Sequence, residues 1–180
     1  MTFGMRTALL GGALALMAIS AQAQEESTNN VAVETDWSVF VEDDPTECWG
    51  VSPPKETVNT RDGRVVSVRR GDIRLFVTFR PGADVAGEVS FTGGYPFAED
   101  STVKLEIGDD SFELFTHSTA REWAWPATPE DDARIIAAMK AGAEAVLTAR
   151  SSRGTNTKDT FSLYGFTAAF EEARRRCSGN

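Results

Sequence analysis

The sequence predicts a mainly β fold, an antiparallel sheet protein with one internal helix and a C-terminal helix. Three observations predict it. Apolar residues alternate with polar ones over several short stretches, as where Ile73, Leu75, Val77 and Phe79 interleave with Arg74 and Thr78. Turn chemistry such as Pro81-Gly82, Gly93-Gly94 and Gly108-Asp109-Asp110 separates those stretches. Two segments carry helical periodicity instead, each with its own boundary signal.

Met1 to Ala23 holds one basic residue, Arg6, no acid, an apolar run from Ala8 to Ile19, and Ala21-Gln22-Ala23 as a cleavage site. This reads as a secretory signal peptide cut after Ala23, since the run is short of the roughly 20 apolar residues a membrane span needs. No cysteine follows it, so a lipoprotein anchor is not expected, nor a stable membrane anchor after cleavage. The remaining 157 of the 180 residues suit one domain at 36–180, preceded by a polar, flexible leader at 24–35. Losing Arg6 moves the net charge from −9 to −10, a poor match for nucleic acid or anionic membrane surfaces.

Asp36-Trp37-Ser38-Val39-Phe40-Val41 alternates as a first strand, and Cys48 to Ser52 as a second before Pro53-Pro54. Arg64 to Arg69 and Ile73 to Phe79 are expected to pair as a hairpin, with Gly71-Asp72 as a type II′ turn. The Arg70-Gly71-Asp72 triplet is then turn chemistry rather than an integrin ligand. Gly87 to Thr92 is a further strand, and Thr102 to Ile107 with Ser111 to Thr116 a second hairpin. Thr128-Pro129-Glu130-Asp131 opens a helix, with Thr128 as N-cap and Pro129 at the first helical position, and Gly142 as the expected C′ residue. Ile135, Ile136, Met139 and Ala143 form its apolar stripe. Ala145 to Arg150 and Thr160 to Tyr164 pair as the last hairpin. Gly165 then breaks into a helix whose Phe166, Ala169, Phe170, Ala173 and Cys177 share one face, with Glu171–Arg175 and Glu172–Arg176 pairs on the other.

Two cysteines in an exported chain are most simply one disulfide, here Cys48 to Cys177. Neither lies in a C-x-x-C motif or near the lone histidine, His117, as a catalytic or metal-binding thiol would. His117 alone cannot build a multi-histidine zinc site, and no serine is marked as its nucleophile. It reads as a loop or strand-end residue, with a periplasmic hydrolase as the alternative. Glu42-Asp43-Asp44 and Asp109-Asp110 lack calcium-loop spacing and read as solvated turn acids, a small-ligand or metal-binding role being the other possibility. Trp49, Trp123 and Trp125 could form a platform for a protein or glycan partner. Trp123 and Trp125, two apart, would share a face; packing against the Thr128 helix is the competing reading.

Asp36-Trp37-Ser38-Val39, Cys48, the Gly71-Asp72 turn, the late helix ending near Gly142, and Phe161-Ser162-Leu163-Tyr164-Gly165-Phe166-Thr167-Ala168-Ala169 together resemble the invasion-associated locus B family of bacterial exported proteins. The likeness covers essentially the whole chain after the leader. It implies an immunoglobulin-like antiparallel β-sandwich in the periplasm or at the cell surface, with no enzymatic activity and no cofactor. It also implies an envelope or host-surface protein or glycan as partner, the family being named for a relative implicated in host-cell entry. Family members often carry a cysteine where this chain has Phe40, and further ones in mid-domain, so the disulfide pattern here is reduced.

Overall fold

A computed structural model describes residues 29–178; the expected signal peptide and most of the leader lie outside the described residues. Twelve strands run β1 (Asn30–Glu34), β2 (Trp37–Asp43), β3 (Thr46–Ser52), β4 (Glu56–Arg61), β5 (Arg64–Val65), β6 (Arg74–Arg80), β7 (Val85–Thr92), β8 (Val103–Ile107), β9 (Asp110–His117), β10 (Ala120–Trp125), β11 (Glu144–Arg150) and β12 (Asn156–Ser162). The helices are α1 (Pro129–Ala141) and α2 (Phe166–Ser178). The strands hydrogen-bond into one strip, β1-β2-β3-β6-β7-β10-β9-β8-β11-β12-β4-β5. Every pairing is antiparallel.

The strip folds over on itself as a sandwich because one side of each half is apolar. Val39, Leu75, Val77, Val89 and Phe91 from the first half join Val103, Leu105, Leu147 and Phe161 from the second in one buried cluster. Phe91 meets Phe161 edge-on across the halves at 6.1 Å between ring centroids. Burying a side chain of this kind contributes about 1.5–3 kcal/mol. Where the second half does not cover the first, the helices do, α2 over β1, β2, β3 and β6 and α1 over β7.

The helix boundaries follow their sequence signals. Thr128 accepts the Asp131 amide N–H as N-cap, and Pro129 occupies the first turn. Gly142 does follow α1, but its φ of −85° is ordinary extended backbone rather than a left-handed cap. Its glycine is needed for space instead, since a Cβ there would stand 2.6 Å from Ile107 Cγ2. In α2 the predicted face of Phe166, Ala169, Phe170, Ala173 and Cys177 is buried. Arg176 pairs with Glu172 as expected, whereas Glu171 takes Arg174 and, from α1, Lys140. The Cys48–Cys177 disulfide joins α2 to β3 across 129 residues of sequence, with Cα atoms 5.8 Å apart.

Two further expectations are overturned. The leader is not wholly free chain: Asn30–Glu34 forms β1, an edge strand on β2, because Val31 and Ala32 pack against the core. The Gly71-Asp72 hairpin does not exist. Arg64 and Val65 turn back onto β4, while β6 lies between β3 and β7. Gly71 instead donates its N–H to Gly94 O at 2.9 Å, in an approach so close that a Cβ on Gly94 would meet Gly71 backbone at 2.6 Å. The alternation of β6 is satisfied by either pairing, and long-range packing selects the one the local turn signal does not suggest.

Candidate functional site

Strand alternation decides which side chains leave the core. In β3, Cys48, Gly50 and Ser52 point inward, so Trp49 points out. Leu75 and Val77 in β6 leave Phe76 outward, Ala124 in β10 leaves Trp123 and Trp125 outward, and Val39 in β2 leaves Phe40 outward. Strand order then places these residues on one surface, the face turned away from both helices. Phe40 and Trp49, cross-strand partners, stack at 5.6 Å between centroids. Phe76 meets Trp123 at 5.3 Å, and Trp123 stacks on Trp125 at 6.2 Å. All five are half-buried.

Between them runs a trough of about 450 Å³, lined by Trp49, Phe76, Trp123 and Trp125 with Thr78 and Ser90 buried in its floor. Its polar edge is Glu42, Glu47 and Arg80. Arg80 bridges Glu47 at 2.9 Å and Glu88 at 3.0 Å, which holds the guanidinium in place. The structure thus brings together all three tryptophans singled out from the sequence, and Trp123 and Trp125 face away from α1 rather than packing on it. Phe40 and Phe76 belong to the same strip and were missed. Phe76 was visible in principle, an aromatic standing at a polar phase of the β6 alternation.

The other candidates stay apart. His117 is exposed at the end of β9, and its Nδ1 pairs with Thr119 Oγ1 at 2.9 Å. No serine and no carboxylate among the described residues hydrogen-bonds it, so the elements of a hydrolytic triad are not assembled there. Glu42 accepts from Asn29 Nδ2 at 2.6 Å, Asp109 lies in the β8–β9 turn and Asp110 opens β9. No cluster of three or more His, Cys, Asp or Glu suited to a metal occurs among the described residues.

Arg70 of the Arg-Gly-Asp triplet is sealed inside. Its guanidinium donates to Asp159 at 2.7 and 2.6 Å, to Gly93 O at 2.9 Å, and lies over the Tyr95 ring. Burial pushes the Asp159 carboxyl above its ordinary value while those two hydrogen bonds pull it down. With Arg70 so held, the triplet cannot be offered to a receptor.

At the opposite side of the sheet, the termini of the fold interlock. Trp37, 1% exposed, donates Nε1–H to Ser162 O at 3.0 Å and meets Phe166 edge-on at 4.9 Å. Asp36 N–H reaches Tyr164 O, and the Asp36 carboxylate pairs with Lys55. Gly165, at φ +90°, lies where a Cβ would stand 1.8 Å from Glu34 O.

The class defined by this fold is a disulfide-braced antiparallel sandwich carrying a C-terminal helix against its first strands. The chain belongs to the invasion associated locus B (IalB) family, whose sequence profile matches residues 37–174. Among solved structures it is similar to invasion associated protein B from Bartonella henselae, with a TM-score of 0.52 and 17% identity over 79% of this chain and 94% of that one. At that identity the likeness speaks to the fold. No curated protein matches the chain. No helix among the described residues is long and apolar enough to cross a membrane.

Proposed function

We propose that this chain is an exported, non-enzymatic envelope or surface protein that binds a protein or glycan partner through the aromatic trough of its outer face. One observation carries the reading: Trp49, Phe76, Trp123 and Trp125 converge on a single trough, all half-buried, with Trp49 stacked on Phe40 and Phe76, Trp123 and Trp125 in successive ring contact. Rings fixed in this way lose little rotamer freedom on binding; each offers a large apolar area, and the three tryptophans add an indole N–H as a polar handle. Tryptophans at the centre of a patch, with charged groups at its edge, are the composition of binding hot spots. Family membership and the signal-peptide pattern of 1–23 support export, and the unassembled surroundings of His117 favour a binder over a hydrolase.

The test is capture. Immobilised wild type, Trp49→Ala and Trp123→Ala are compared on a glycan array and on detergent-free envelope extracts, with each variant first shown to retain its fold by far-UV circular dichroism. The expected result is a partner retained by wild type and lost by about 2 kcal/mol or more of affinity with either variant. A partner captured equally by all three would place binding elsewhere and overturn this reading.

A further inference from the structure

The cations of this acidic chain are sorted in space. Lys55, Arg70, Arg74, Arg80, Lys104, Arg121, Arg134, Lys140 and the arginines of α2 each pair with a carboxylate. Among the described residues Arg61, Arg64, Arg69, Arg150, Arg153 and Lys158 reach none, and all of them lie on β4, β5, the segment after β5, or the β11–β12 hairpin. Gathering like charges costs free energy unless a counter-anion joins them. A chain with 27 acidic residues had ample means to neutralise this end of the sheet.

Three of these cations, Arg61, Arg69 and Arg153, line one cavity of about 540 Å³. Half of the rest of its lining bears a hydroxyl, including Ser151, Ser152, Thr155 and Tyr95, and the other half includes Val68, Pro96, the paired Arg70 and one carboxylate, Glu122. The walls are preorganised. Arg61 donates to Thr155 Oγ1 at 2.7 Å, Tyr95 pairs with Thr157 at 2.6 Å, and the sealed Arg70–Asp159 pair backs the Tyr95 ring. Burial pushes the Tyr95 phenol up to about 12, so it stays neutral and able to donate.

We infer that this cavity binds a phosphomonoester group, held by Arg61, Arg69 and Arg153 with hydroxyl donors beside them. A carboxylate offers two oxygens in one plane, whereas a tetrahedral dianion offers three terminal oxygens and twice the charge to donors arriving from several elements. Arg69 and Arg153 make no hydrogen bond or ion pair within the described protein, so their donors are free for such a ligand. The site is separate from the aromatic trough and stands or falls independently of it.

The experiment is calorimetric titration of the chain with inorganic phosphate, glycerol phosphate and acetate at fixed ionic strength, alongside co-sedimentation with phosphatidylcholine vesicles with or without phosphatidic acid. Saturable binding of a phosphate probe is expected, weakened about tenfold by Arg69→Gln and by Arg153→Gln and unchanged by Lys158→Gln. Lys158 alternates with the buried Thr157 and Asp159 and so points away from the cavity, making it a control of equal charge. Binding of the soluble probes identifies a free phosphate source, and binding of phosphatidic acid vesicles alone a lipid headgroup; either supports the site. No saturable binding, equal binding of acetate, or equal weakening by Lys158→Gln would overturn it.

Discussion

The two faces of the β1–β10 half of the sheet are produced by the same alternation and are put to different uses. The inner face holds Trp37 against Phe166 and Gly50 against Ala169, so the residues by which the family is recognised, Asp36-Trp37 at one end and Phe161 to Ala169 at the other, meet one another. The outer face holds Trp49, Phe76, Trp123 and Trp125, none of which belongs to those motifs. The family signature is therefore a structural latch. It specifies how the chain closes, and the surface proposed here for binding lies outside it.

The largest effect on this contrast should come from the disulfide, which ties the inner latch to β3. Closing a loop across 129 residues restricts the unfolded chain by about 5 kcal/mol in the chain-entropy model. Cys48→Ser with Cys177→Ser is expected to lose a large part of that in urea unfolding, with the denaturant slope changing because the unfolded ensemble expands. If the double variant unfolds at the wild-type urea concentration, the latch does not depend on its covalent tie. Next comes Gly165→Ala. A side chain there must adopt φ near +90° and displace Glu34 O, so a loss of about 3 kcal/mol or more is expected. That loss should appear first as faster amide exchange in β1 and at the start of α2, and uniform exchange across the chain would argue against a local latch.

Much of this organisation was legible in the sequence, for identifiable reasons. Period and caps gave α1 and α2 to within a residue or so, because Thr128-Pro129 and Gly165 are local signals that nothing distant opposes. The β8–β9 and β11–β12 hairpins were legible because their partners are neighbours in the chain. What failed was pairing at a distance. Residues 64–80 read as a hairpin since Gly71-Asp72 has the right chemistry, yet Arg70 turns into the interior to meet Asp159, far along the chain. The three tryptophans of the trough could be named, but their convergence depends on β10 lying beside β7, a juxtaposition that no local pattern encodes. The cavity of unpaired arginines is less legible still, because a cation lacking a partner is a property of three-dimensional neighbours.

The smallest effect concerns the seam between α1 and the sheet. Asp132, in the first turn of α1, accepts the Val89 amide of β7 at 2.7 Å. Burial, reinforced by Glu88 and Asp131, pushes its carboxyl from 3.8 up to about 6, against the pull of that hydrogen bond. The folded chain therefore holds this proton more tightly than the unfolded chain. Between those two values the native state binds more protons, so stability conferred by the protonated form is present below about pH 4 and is lost as pH rises through about 6. The group is half-exposed and sits at a helix N-terminus that favours its charge, which together reduce the expected loss to about 1 kcal/mol. Asp132→Asn should keep the Val89 contact and remove this pH-dependent loss, leaving the variant about 1 kcal/mol more stable than wild type near neutral pH and equal to it in mild acid. Urea midpoints measured across that window would show two curves separating as pH rises. Parallel curves would mean that solvent and the helix dipole fully compensate the burial, and that the seam tolerates a charge at no cost.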